Sequence, residues 1–171
     1  MEVRGAGPWT VEDLPEEPTA QLELLDGALL VRPVPGVRHQ RVVGQLLHVL
    51  GEPVAHRVLP GVNLLRRGDT DRLLVPDVVV VDAVVVGRDE LWVDPSDVLL
   101  VVEVESVSTR IVDRVLKREL YAQWRVPGYW IVDPDAETVT RLVLTAERTY
   151  AEGAGPVPWL ADVDSERLWT S

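Results

Sequence analysis

LLVPDVVVVD at residues 73–82, VLLVVEVESVST at 98–109 and RIVDRVLKRELY at 110–121 decide how this chain folds. The first two are nearly continuous apolar runs, a pattern that fits strands buried on both faces. They predict a central strand over 73–81 and a second over 97–105. The third stretch changes period. Ile111, Val112, Val115, Leu116 and Leu120 recur at helical spacing, and Ser108 or Thr109 can cap a helix over about 110–124. Those five apolar side chains form the side expected to face the core. Arg110, Asp113, Arg114, Lys117 and Tyr121 share the opposite, polar arc. Glu119 falls among the apolar positions and does not fit. Pro127-Gly128 stops the helix, and 129–132 reads as a short strand.

Working outward, Asp26-Gly27 separates apolar runs at 21–25 and 28–32, a hairpin signal because both turn residues need positive φ. Pro33 and Pro35 end the second strand. Val43, Leu46, Leu47 and Leu50 mark one face of a helix from Val37 to about Ala55. Residues 58–65 read as a strand broken by Pro60-Gly61, 66–71 as a polar turn, and 83–94 largely as a loop. Thr10 and Asp13 predict a short capped helix near 10–14. Residues 138–144 alternate and predict a hairpin partner, and a last short strand is expected near Leu168-Trp169. From Val37 to Val132 the order is helix, three strands, helix, strand. The fold class is α/β with an α+β mixed sheet, flanked by an N-terminal and a C-terminal β-hairpin. The expected organisation is one domain over 1–171, with a core at about 20–145, an acidic extension at 1–19 and a tail at 146–171.

A chain of 171 residues is long enough to bury a substantial core. Without cysteine, disulfides and thiolate metal sites are excluded. No apolar run approaches a membrane span and the N-terminus lacks an apolar signal core, so a cytoplasmic protein is expected. The net charge of −11 argues against non-specific polyanion binding. The charge is uneven, however. Residues 73–105 carry −7, between flanks at 32–72 and 106–126 that carry +4 and +3. That layout suits a cation site facing a phosphate backbone, and it equally suits scattered solvated charge.

Asp77 falls in an apolar run, where a carboxylate is costly unless it is paired, neutralised or bound to a cation. Glu103 and Glu105 sit two apart, so strand alternation puts both on one face. Neighbouring carboxylates repel unless a cation lies between them. An all-oxygen donor set suits Mg²⁺ or Mn²⁺ better than zinc. Lys117 is the only lysine among 17 basic residues. It reads either as the i, i+4 surface partner of Asp113 or as a cation near a scissile phosphate. Glu23 reads as a solvent-facing strand residue. His39, His48 and His56 have no metal-motif spacing, and no P-loop, GxGxxG or GxSxG is present.

PDVVVVD, LLVVEVESVSTR and DRVLKRELYAQWRVPGYWIVDP together resemble the Uma-type family of restriction-endonuclease-like proteins, within the PD-(D/E)xK nuclease superfamily. LELLDGALLVRP and VRHQRVVGQLL resemble that family's LIDGxL hairpin and first helix, so the likeness covers about residues 20–135. The resemblance implies a Mg²⁺- or Mn²⁺-dependent endonuclease acting on DNA, plausibly as a homodimer. It implies that Asp77 and Glu103 hold the metal and that Glu23 enters the site from the hairpin. Lys117 becomes a catalytic lysine moved from strand to helix. Asp113 and Tyr121 support the site, and His39 approaches it from the first helix. One position departs from the pattern: Glu105 stands where the superfamily motif has lysine. It reads as an extra metal ligand, as a partner of Lys117 or an arginine, or as the mark of a site that no longer cleaves. The last reading, a binding module with a decayed site, draws also on Trp124, Tyr129, Trp130 and Trp159 as exposed aromatics. A phosphodiester other than duplex DNA, such as RNA, is a third reading.

Overall fold

A computed structural model describes residues 2–4, 7–16, 20–52 and 56–169, the side chains at 2–4, 56 and 86 excepted. Strands β1 (Glu2–Arg4), β2 (Leu22–Leu25) and β3 (Ala28–Val31) form a small antiparallel sheet in the order β1-β3-β2. Asp26 and Gly27 turn between β2 and β3 with φ of 50° and 78°, the backbone a two-residue hairpin needs. Helix α1 (Val37–Gly51) follows. Residues 53–55, to which the sequence pattern extends it, lie outside the described residues.

A six-stranded sheet holds β4 (His56–Pro60), β5 (Val78–Asp82), β6 (Val98–Val104), β7 (Gly128–Asp133), β8 (Thr138–Leu144) and β9 (Tyr150–Glu152), in that order. Only β6 and β7 run parallel. Helix α2 crosses between them, as a parallel pair requires. It consists of a π-helical segment, Val112–Lys117, continued by α-helix over Arg118–Gln123. The order helix, three strands, helix, strand is therefore the observed one, with a hairpin on each side. Two expectations differ at the ends. The third strand of the N-terminal sheet, β1, carries no pattern that distinguishes it. The chain end forms a short helix, α3 (Pro158–Ala161), and a 3₁₀ turn, Ser165–Leu168, instead of a strand.

The sheet has helices on both faces, and alternation assigns each side chain. Val78, Val80, Leu100, Val102 and Trp130 pack against Val42, Leu46 and Leu50 of α1. Val79, Val81, Val101, Tyr129 and Ile131 face the other way, toward Leu120 and Tyr121 of α2 and Leu25 and Leu30 of the small sheet. Glu103 shares the second face by the same alternation. The 73–81 run is not one strand. Pro76 has no N–H for a ladder. Leu73 bridges to Leu24 and Leu74 to Leu64, and the strand begins only at Val78. Asp77 thus sits in the turn ahead of β5, not within it.

Helix α2 is turned over relative to its hydrophobic pattern. Ile111 is 78% exposed, and Val115 and Leu116 are exposed as well, while Asp113, Lys117 and Tyr121 are buried. Val112 and Leu120 are the apolar residues that do face inward. Glu119, the misfit, lines a surface pocket with Leu116. Both predicted arcs are split: Val112 and Leu120 stay with the core while Ile111, Val115 and Leu116 leave it, and Asp113, Lys117 and Tyr121 turn inward while Arg114 remains exposed.

Leu46→Ala, at the α1–sheet contact, is expected to cost about 2–5 kcal/mol in urea unfolding. Ile111→Ser is expected to change stability by about 0.5 kcal/mol or less. A large loss at Ile111 contradicts the orientation described for α2.

Candidate active site

Three elements deliver carboxylates to one buried point. Glu23 points inward from β2, Glu103 from β6 and Asp113 from α2, and all are essentially inaccessible. Lys117 enters from α2 between them. Its Nζ lies 2.8 Å from Glu23 Oε1, 2.9 Å from Glu103 Oε1 and 3.7 Å from Asp113 Oδ1. Tyr121 Oη donates to Glu103 Oε1 at 2.7 Å. The N–H of Val75 donates to Glu23 Oε1 at 2.8 Å. The lysine that reads as a surface partner is therefore the centre of a buried ion cluster, and Glu23 is buried, not solvent-facing.

Asp77 adjoins this cluster. Its Oδ2 accepts the Val104 N–H at 2.7 Å, which ties the turn before β5 to the end of β6. Its Oδ1 is 2.9 Å from Arg32 Nη2 and 3.3 Å from His39 Nε2. Arg32 also lies 3.9 Å from Glu103 Oε2 and donates to the Val75 carbonyl at 2.6 Å. Arg32 was not singled out in the sequence. The signal for it is electrostatic: one lysine cannot balance Glu23, Asp77, Glu103 and Asp113 together, so a second cation has to reach the cluster.

The wide π-helical segment helps set this geometry. A π segment alters which side chains share a face, and here it spans Asp113 and Lys117. Tyr129 Oη, buried on β7, donates to the Asp113 backbone carbonyl at 2.8 Å and braces the segment from the sheet.

Glu105 has a different environment. Its Oε2 is 2.8 Å from Arg114 Nη2 and 3.4 Å from Arg110 Nε, and Arg114 Nε engages the other oxygen. Of the readings open for Glu105, pairing with arginine is the observed arrangement. Both its oxygens are engaged by arginine. Trp124, Tyr129 and Trp130 are buried and Trp159 is partly buried, so the aromatics taken as exposed are core residues. His48 is exposed, and the side chain of His56 lies outside the described residues.

The ionisation pattern follows from burial and partners. Burial pushes the Glu103 carboxyl up to about 8, against the opposing charge of Lys117. Asp113 is likewise raised by burial. Asp77 is buried too, yet the His39 hydrogen bond and the Arg32 charge hold it below the ordinary range. Lys117 is buried but its pKa is raised, because Glu103 and Glu23 favour its charged form.

The residues fit a hard divalent cation by donor chemistry. Glu103 Oε2 and Glu23 Oε2 are buried carboxylate oxygens that accept no hydrogen bond from the described residues. Such orphaned oxygens are costly unless a cation or proton satisfies them. In the present arrangement no three acidic or imidazole side chains among the described residues converge on one ion-sized point. The space beside the carboxylates is held by Lys117 and Arg32. A cavity of about 200 Å³ adjoins Arg32 and His39, with Pro33, Val104, Ser106 and Thr109 in its walls.

The model of the Uma2 family, described as "Putative restriction endonuclease", matches residues 10–168. A solved structure described as "a putative nuclease belonging to DUF820 from Anabaena variabilis ATCC 29413" superposes with a TM-score of 0.69 at 19% identity. That superposition covers 95% of this chain and 98% of the other, which establishes a shared fold. No curated protein matches. Among the described residues no helix is long and apolar enough to cross a membrane.

Two measurements test the cluster. Because the folded-state pKa of Glu103 is raised from 4.5 to about 8, its protonated form is favoured by folding. Its contribution is full below 4.5 and is lost as pH rises through 8. Melting temperature is therefore expected to fall between pH 5 and 8, and Glu103→Gln to flatten that slope. A melting temperature that rises across this window contradicts the assignment. Lys117→Met strands Glu23 and Glu103 and is expected to cost about 3–5 kcal/mol at pH 8. In urea unfolding, Glu103→Gln added to Lys117→Met should recover part of that loss.

Proposed function

We propose that this chain, which belongs to the Uma2 family, is a divalent-metal-dependent endonuclease that hydrolyses DNA phosphodiester bonds. The observation that carries the reading is the burial of Asp77, in the turn before β5, next to the Glu103–Lys117 pair from β6 and α2, with Arg32 reaching both carboxylates. Asp77 and Glu103 are the residues to hold Mg²⁺ or Mn²⁺. Bound there, such an ion supplies Lewis acidity toward a phosphate oxygen and makes water a stronger nucleophile.

The chain's own groups do the positioning. Lys117 is fixed by Glu23 and Glu103, so its charge is held beside Glu103 before any substrate arrives. Preorganised charge of this kind stabilises the negative charge that grows in the transition state. Tyr121 orients Glu103, and His39 with the Val104 N–H orients Asp77.

The net charge of −11 is unevenly spread along the chain around the site. The walls of the cavity beside Asp77 come from residues 32–39 and from 106–109, with Val104 between them. Those two wall segments belong to the stretches that carry +4 and +3. Within the walls themselves the permanent cation is Arg32, which is paired with Asp77, and 106–109 carries no charged residue.

The test is plasmid nicking with Mg²⁺ or Mn²⁺ over a range of salt, with an RNA of matched sequence as a parallel substrate. Wild type is expected to nick DNA, and Asp77→Asn, Glu103→Gln and Lys117→Met to lose about 100-fold or more. Thermal melts at the assay pH separate lost chemistry from lost folding. Absence of metal-dependent nicking by the wild type, or folded variants that cut as well as it does, overturns the proposal.

A further inference from the structure

Arg32 occupies an unusual position for a guanidinium. Its Nη2 stands between Asp77 Oδ1, at 2.9 Å, and Glu103 Oε2, at 3.9 Å. These two oxygens belong to the two carboxylates proposed to hold the metal. A Mg²⁺ or Mn²⁺ ion needs oxygens at about 2.0–2.1 Å, so an ion shared by this pair has to take the space that Nη2 fills. Glu103 Oε2 accepts no hydrogen bond from Arg32 or any other described residue. The guanidinium therefore satisfies Asp77 while only approaching Glu103.

We propose that Arg32 is the internal counter-ion of Asp77 and Glu103, and that a divalent cation binds only by displacing it, so that residue 32 sets the metal affinity. The inference rests on the metal-dependent reading of the same site. Displacement breaks the bond to Asp77 and the one to the Val75 carbonyl. The cavity bounded by the loop 33–36, His39, Ser106 and Thr109 adjoins Arg32 and offers room for the departing side chain. Arg32 lies directly after β3, the central strand of the small sheet, and its N–H donates to the Gln21 carbonyl at 2.9 Å, so the backbone is held and the side chain is the part to move. When the binding-competent state is a minor one, the apparent affinity is reduced by its population. Arg32 lowers the apparent metal affinity by that route. His39 and the Val104 N–H remain on Asp77 after Arg32 departs, so the carboxylate is not left without partners.

The test is calorimetric titration of the intact chain with Mn²⁺ alone, in wild type, Arg32→Met and Arg32→Lys, with thermal melts in the presence and absence of Mn²⁺. Arg32→Met is expected to bind Mn²⁺ at least about tenfold more tightly than wild type. It should also show a larger Mn²⁺-induced rise in melting temperature. Arg32→Lys, which keeps the charge but lacks the fork, should fall between the two and serves if Arg32→Met does not fold. Adding Asp77→Asn to either variant should abolish the gain. Equal or weaker Mn²⁺ binding by folded Arg32 variants overturns the proposal and leaves the metal-dependent reading intact. No Mn²⁺ binding by wild type or any variant overturns both. Binding by the variants but not by wild type supports the displacement.

Discussion

A single ammonium group, Lys117 Nζ, is held between Glu23 and Glu103 in a region that excludes water. Much of the local architecture depends on it. Removing an ion pair from water is expensive, and a buried charge persists only when its partners are placed well. Here the partners come from β2 and β6, and the lysine from α2. The small sheet, the six-stranded sheet and the crossing helix therefore have to arrive together. The same requirement accounts for the orientation of α2. Turning its apolar arc inward would bury Ile111, Val115 and Leu116, but it would leave Glu23 and Glu103 without their ammonium. The observed helix instead leaves those apolar residues in solvent and places Asp113, Lys117 and Tyr121 inside.

The cluster holds more acid than base. Glu23, Asp77, Glu103 and Asp113 face two permanent cations, Arg32 and Lys117. Burial above all, with the neighbouring Asp113 and Asp77 charges, pushes the Glu103 carboxyl up to about 8, and Glu23 Oε2 and Glu103 Oε2 find no donor among the described residues. A structural ion network selected for stability would be expected to satisfy those oxygens. Unsatisfied ones concentrate where a further cation or a reacting group is to be received. Glu105 shows the contrast within the same strand direction: two residues on, it is paired with Arg114 and Arg110 and carries no such deficit.

The strand and helix order was legible before any coordinates. Hydrophobic periodicity reports burial, and burial on both faces of β5 and β6 left long valine runs. The Asp26-Gly27 turn was legible for a similar reason, since few residues accept positive φ at both positions. Asp77, Glu103 and Lys117 stood out because ionisable groups beside buried strands need explanation. Resemblance to a nuclease family added Glu23, His39, Asp113 and Tyr121 to the candidates. All seven lie in or beside the cluster. Arg32 was not visible, because an arginine after a hairpin strand looks like any solvated charge. The burial of Trp124, Tyr129 and Trp130 was missed because aromatic residues near a turn carry no sign of which face they take.

By itself the sequence determined the order of the core elements, the strands buried on both faces and the carboxylates that are candidates to bind a cation. Each of these follows from local pattern and side-chain chemistry. Only the tertiary structure decided the direction of α2, the π-helical segment within it, the turn position of Asp77 and the pairing of each carboxylate. Those choices depend on which charges meet across long sequence separations. Arg32 and Asp77 are 45 residues apart, and Glu103 and Lys117 are 14. Periodicity describes one element at a time, whereas the electrostatic balance of a buried site is a property of all the elements that meet there.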